Sequence, residues 1–145
     1  MRKMEDKYNL GRFVDAQEGV YPIALRELRE GCKRSHWIWY IFPQLKDLGR
    51  SYNSKFYGLS GIEEAHEYLE HPLLNHRLRE VCEVILDLPT SDAREVFGGI
   101  DSRKLRSSMT LFDMVSSNDV FVRVLEKYFN GNRDHNTMRI LGVSR

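Results

Sequence analysis

Between Pro72 and Pro89 the apolar residues recur with a helical period, and no other pattern constrains the fold as strongly. Leu74, Leu78, Val81, Ile85 and Leu88 stand at i, i+4, i+7, i+11 and i+14. That spacing lays them along one stripe of an α-helix, with His76, Arg79, Glu80, Glu83 and Asp87 on the opposite face. Pro72 suits a first helical turn, where its missing N–H costs nothing, and Pro89 ends the helix.

The rest of the chain reads the same way. Asn9 can cap a first helix bearing Leu10, Phe13, Val14 and Gln17. Pro22 opens a second, carrying Ile23, Leu25 and Leu28 to a stop at Gly31. Ser60-Gly61-Ile62-Glu63 has capping-box spacing and predicts a helix to about Glu70. Ser91 can cap a short helix to Phe97, closed by Gly98-Gly99. Asp101 or Ser102 starts another, with Leu105, Met109 and Phe112 inward and Arg103, Ser107 and Thr110 outward. Asn118 or Asp119 caps a helix with Phe121, Val124, Leu125 and Tyr128, stopped by Asn130-Gly131. A last short helix spans Asp134 to Leu141. The expected fold is all-α: a compact single-domain bundle of about six to eight short helices over residues 9–142, after a flexible tail at 1–8. Residues 33–58 are the least regular stretch. Within them His36 to Phe42, rich in aromatic and β-branched residues, is open to either a buried strand or a helix.

Composition narrows the function. At 145 residues the chain is one domain, and a chain this size buries roughly 70% of its unfolded surface, enough for a core without staples. Lys and Arg number 22 against 21 Asp and Glu, a net charge of +1, which argues against a broad nucleic-acid or membrane binder. Locally the balance shifts: residues 1–50 hold ten Lys+Arg and seven Asp+Glu, or +3, whereas Glu63, Glu64, Glu67 and Glu70 form an acidic face that reads as solvated. The longest apolar run, Trp37 to Phe42, is far short of the roughly 20 residues that span a bilayer. Met1 to Tyr8 has no apolar signal region. Cys32 and Cys82 form no CxxC or metal-type cluster and fit a reducing cytosol. The expected location is cytoplasmic.

Two stretches could carry chemistry. In the first, Lys33, Arg34, Ser35 and His36 abut Trp37, Trp39 and Tyr40 and end at Pro43-Gln44. Cations hold phosphate or carboxylate, aromatic faces stack a ring, and His36 is an acid–base candidate near neutral pH. In the second, Lys104, Arg106, Ser107, Ser108 and Thr110 sit near an expected helix start that suits anions. Plain packing aromatics and a capped amphipathic helix are the competing readings. No P-loop or GxSxG is present. His66 and His71 are spaced one residue too far for HExxH, so no metal site is expected.

These stretches also carry a resemblance. Arg12-Phe13-Val14-Asp15-Ala16-Gln17, Ser35-His36-Trp37 through Phe42-Pro43-Gln44-Leu45, Tyr68-Leu69 with His71-Pro72, and Lys104-Leu105 with Ser107 to Phe112 resemble an uncharacterised bacterial family, the domain of unknown function 1810. The likeness runs from about Leu10 to Gly142. It implies a small, mostly helical single domain and no established activity. Relatives are sometimes labelled calpastatin, a disordered, repeat-built inhibitor; this chain has a globular composition and no repeats. The stretches that carry the likeness hold many polar residues, which points to one shared site.

The functional expectation is therefore a site for a small anionic or nucleotide-like ligand, with hydrolase or transferase chemistry open to it. Lys33, Arg34, Lys104 and Arg106 would hold the anion and Trp37 and Trp39 would wall the pocket. Ser35, Gln44, Ser107, Ser108 and Thr110 would orient the ligand, with Arg12 and Gln17 joining from the first helix. His36 is the catalytic candidate, and no cofactor is implied. The alternative is a non-enzymatic interaction module using the Trp37–Phe42 segment. Single-stranded nucleic-acid binding is disfavoured by the net charge.

Overall fold

A computed structural model describes residues 6–143, which form nine α-helices and no strand. They are α1 (Gly11–Gln17), α2 (Tyr21–Arg29), α3 (Ile38–Ile41), α4 (Tyr52–Tyr57), α5 (Ile62–Glu70), α6 (Pro72–Leu86), α7 (Ala93–Val115), α8 (Val120–Phe129) and α9 (His135–Ile140), with a 3-10 turn at Lys46–Leu48. Of the tail expected at 1–8, positions 1–5 lie outside the described residues. The Asp6 carboxylate accepts from the Leu10 N–H at 2.7 Å and the Gly11 N–H at 2.8 Å. Asp6 thus caps α1 where Asn9 was expected to; Asn9 instead takes a left-handed conformation with φ 55°.

The α6 stripe is as its period predicts. Leu74, Leu78, Val81 and Ile85 are buried, joined by Cys82, and the half-buried Leu88 lies beyond the helix end. His71 Nδ1 accepts from the Leu74 N–H and caps it. In α2 the buried face runs through Tyr21, Ala24 and Leu28, while Ile23 is exposed. The apolar surface these helices share with α5, α7 and α8 is continuous, so there is one core.

The helix at the centre of that core departs most from its sequence pattern. The two helices expected on either side of Gly98-Gly99 are present: Gly98 takes φ 81° and ψ 168°, non-helical values that break the path, and α7 denotes both segments. Asp92, not Ser91, caps it, accepting from the Arg94 and Glu95 N–H groups. The chain resumes the helix at once: the Ser102 hydroxyl donates to the Gly99 carbonyl, and the Lys33 N–H donates to that of Val96. Leu105, Met109 and Phe112 are buried as expected, but so are Ser107, Ser108, Thr110, Leu111 and Asp113. The expected outward face of Ser107 and Thr110 is overturned because α7 packs against α3, α5, α8 and α9. Its hydroxyls meet that burial by donating to carbonyls one turn back, Ser107 to Arg103 at 3.1 Å and Thr110 to Arg106 at 2.8 Å.

The 33–58 stretch holds the two helices the periodicity did not register. Residues 38–41 form a single α-helical turn, α3, which settles the open choice over His36 to Phe42. After it the chain is pinned by a parallel bridge: Leu59 N–H donates to the Gln44 carbonyl at 2.9 Å and Lys46 N–H to that of Leu59 at 2.8 Å. Gly58 sits inside this crossing. A Cβ there would lie 2.3 Å from Lys46 Cα and 2.5 Å from the Ser54 carbonyl oxygen. The capping box of α5 is displaced by one residue, since Glu64 rather than Glu63 reaches back to the Ser60 N–H. Glu64 is therefore buried, and the solvated acidic face keeps only Glu63, Glu67 and Glu70. No helix among the described residues is long and apolar enough to cross a membrane.

Candidate functional site

The Lys33–Trp37 stretch folds around one carboxylate. Glu27, on the last turns of α2, is buried. Its Oε1 accepts from the N–H groups of Arg34 and Ser35 at 2.9 and 3.0 Å and from Trp37 Nε1 at 2.9 Å, and its Oε2 accepts from the Ser35 hydroxyl at 2.5 Å. Burial alone would raise its pKa; the Ser35 hydroxyl, the two backbone donors and the indole outweigh that and hold it at about 2. Ser35 and Trp37 are thus spent on structure, and Trp37 is fully buried against Phe42 and Phe97.

Lys33 is equally committed. Its amine pairs with Asp101 of α7 at 2.7 Å, donates to the Ser35 carbonyl, and lies 4.8 Å from the Trp37 ring centroid. Arg34 is exposed and pairs with Glu30 at 2.6 Å. Trp39 is half-buried, with a buried Nε1 that meets no partner among the described residues. His36 is exposed, and no side chain among the described residues hydrogen-bonds its ring. Two residues expected from α1 are staples. Arg12 spends all five N–H donors on the carbonyls of Tyr8, Asn9, Phe56 and Gly58 and the buried Glu64 carboxylate, the last at 2.9 Å. The Gln17 amide donates to the Tyr40 carbonyl at 2.7 Å and the Tyr68 hydroxyl, and accepts from Arg77.

The two stretches nonetheless meet. Gln44 from the first and Lys104 and Ser107 from the second line one cleft of about 500 Å³, closed by residues 48–54, by α7 and by the start of α9. Gln44 is buried, and its side-chain amide has no hydrogen-bond partner among the described residues. Arg50 and Arg103 also line the cleft and form no ion pair among the described residues. Lys104 stands 3.7 Å from Asp101. The one carboxylate in the lining among the described residues, Asp134, is occupied as the α9 cap, accepting from the Thr137 N–H and hydroxyl at 2.9 and 2.7 Å. The field in the cleft is therefore positive, and small residues such as Gly49 and Ser54 leave room for a ligand.

Arg106, Ser108 and Thr110 do not reach this cleft. Arg106 points to the other side of α7, bonding the carbonyls of Asn132 and Arg133. Ser108 is fully buried and its hydroxyl meets no partner among the described residues, while Thr110 accepts the Asp134 N–H at 2.8 Å. Sequence reasoning placed Arg103 only on the outer face of its helix, and missed Arg50 as a lining residue and Glu27 as the hub. Neither has a marking neighbour in sequence; only the crossing at Leu45 and Leu59 brings residue 50 to α7.

The comparisons agree with this fold. A solved structure, the conserved hypothetical protein Rv1873 from Mycobacterium tuberculosis, superposes with a TM-score of 0.92 at 44% sequence identity, over 96% of this chain and 100% of that one. No curated protein matches. The sequence profile described as "Protein of unknown function (DUF1810)" matches residues 7–141, and the chain belongs to the DUF1810 family.

Proposed function

We propose that the protein binds a small anion, a phosphate or polycarboxylate compound, in the cleft between Gln44 and Ser107. One observation carries this: Arg50 and Arg103, distant in sequence, face a common cleft without acid partners among the described residues. Lys104 adds charge, and the unbonded Gln44 amide offers both a donor and an acceptor to a ligand oxygen. No aromatic residue among the described residues lines the cleft. A nucleobase would find no stacking wall there, which favours a compact anion over a nucleotide. His36 does not line it either, so the reading is binding rather than hydrolase or transferase chemistry. The interaction-module alternative is weaker, because Trp37, Ile41 and Phe42 are buried. The free thiols of Cys32 and Cys82 fit a reducing, cytosolic setting.

Calorimetric titration with inorganic pyrophosphate and with citrate tests the proposal. One of the two binds, and Arg50→Gln and Arg103→Gln each weaken it about tenfold, the worth of roughly one charge-assisted hydrogen bond. Absence of binding by both, or variants that bind as the parent does, would overturn it.

A further inference from the structure

A second cleft, of about 480 Å³, lies on the opposite side of α7, between that helix, the 131–134 loop and α9. Its lining has three groups of basic character, Arg106, Arg133 and His135, and no carboxylate among the described residues. The rest is largely apolar, with Met114, Met138 and Val143.

Both guanidinium groups are held before any ligand arrives. Arg133 Nε and Nη2 donate to Oδ2 of Asp113, a buried residue of α7, at 2.9 and 2.7 Å. Arg106 Nε and Nη2 donate to the carbonyls of Asn132 and Arg133 at 2.9 and 3.0 Å, with the group 5.9 Å from the Phe129 ring centroid. Each guanidinium has five N–H donors and spends two in these bonds, leaving three. A pre-positioned planar fork matches a carboxylate and loses little side-chain freedom on binding it. The methionines offer an apolar surface that adapts to the shape of what lies on it.

We propose that this second cleft binds a carboxylate with an apolar body, such as a medium-chain fatty or aryl carboxylate. Its carboxylate pairs with Arg106 and Arg133 and its body lies on Met114, Met138 and Val143. The site is independent of the anion cleft and does not rest on that reading.

The test is calorimetric titration of the full chain with octanoate, and with octanol and acetate as single-feature controls. Octanoate binds with one site per chain, and octanol and acetate are each weaker by about tenfold or more. Arg106→Gln weakens octanoate about tenfold. Arg103→Gln, in the anion cleft, leaves it unchanged. Arg133→Gln strands Asp113 in the core, so Arg133→Gln with Asp113→Asn is the second variant, and it too weakens octanoate. No octanoate binding, equal binding of octanol, an unaffected Arg106→Gln, or a loss caused by Arg103→Gln would each overturn the proposal.

Discussion

The indole N–H of Trp37 donates to Glu27 Oε1 at 2.9 Å, inside a core where both residues are buried. The same carboxylate takes three further donors from Arg34 and Ser35. This one group therefore orders the loop that leads from α2 into α3. Glu27→Gln turns an acceptor oxygen into a donor facing donors. A loss of about 1.5–3 kcal/mol follows, the range for hydrogen bonds to a charged partner. Denaturant unfolding followed by tryptophan fluorescence measures it; a loss below about 0.5 kcal/mol would contradict the hub role.

Acid stability should report the same group. Glu27 falls from an ordinary value of 4.5 to about 2 in the folded state. The unfolded chain then takes up the proton first. The contribution is complete above about pH 4.5 and is lost as the pH falls toward 2. Asp119, held below the usual carboxylate range chiefly by its hydrogen bonds from Arg79, acts in the same direction. Thermal unfolding from pH 6 to 2 should show a smaller acid loss in Glu27→Gln than in the parent. Equal losses would mean that Glu27 is not depressed.

Arg12 is the second staple. Arg12→Ala removes five hydrogen bonds and leaves the Glu64 carboxylate buried with only its Ser60 donors. Stranding a buried charge costs about 3–5 kcal/mol. Arg12→Lys should recover little, because an ammonium cannot span carbonyls on both sides. Chemical denaturation of the two variants checks this, and a fully stable Arg12→Lys would contradict it.

Gly58 ties stability to the cleft. The methyl group of Gly58→Ala would run into Lys46 Cα and the Ser54 carbonyl, backbone atoms that cannot move without shifting residues 46–54. Strain of about 1–3 kcal/mol is expected, together with weaker pyrophosphate binding, since Arg50 and Ser54 ride on that segment. Unchanged stability and binding would separate the crossing from the site.

The helical period disclosed the long elements because burial imposes it. Leu74, Leu78, Val81 and Ile85 face one core, and the pattern follows. It fails where part of a helix is covered on more than one face. Ser107 and Thr110 look like an outer face, yet neighbouring helices bury them, and each hydroxyl tolerates this by bonding a carbonyl of its own helix. It fails also for short elements: α3 has four residues, fewer than the period needs. At the site, the sequence marked the two stretches that meet but not each residue's part in the meeting. Lys33 and Arg12 carry charge in both views; only the fold reveals Asp101 and Glu64 beside them. Arg50 and Arg103, without partners among the described residues, had no local pattern to distinguish them from other surface cations.

The most direct test of the central claim follows the two stretches at once. In an amide-resolved NMR titration with inorganic pyrophosphate, the Gln44 side-chain amide and the backbone amides of Arg103, Lys104 and Ser107 should shift together along one isotherm, while that of His36 stays in place. Shifts confined to one stretch, different midpoints for the two, or no shift at either would contradict a single anion cleft built from both.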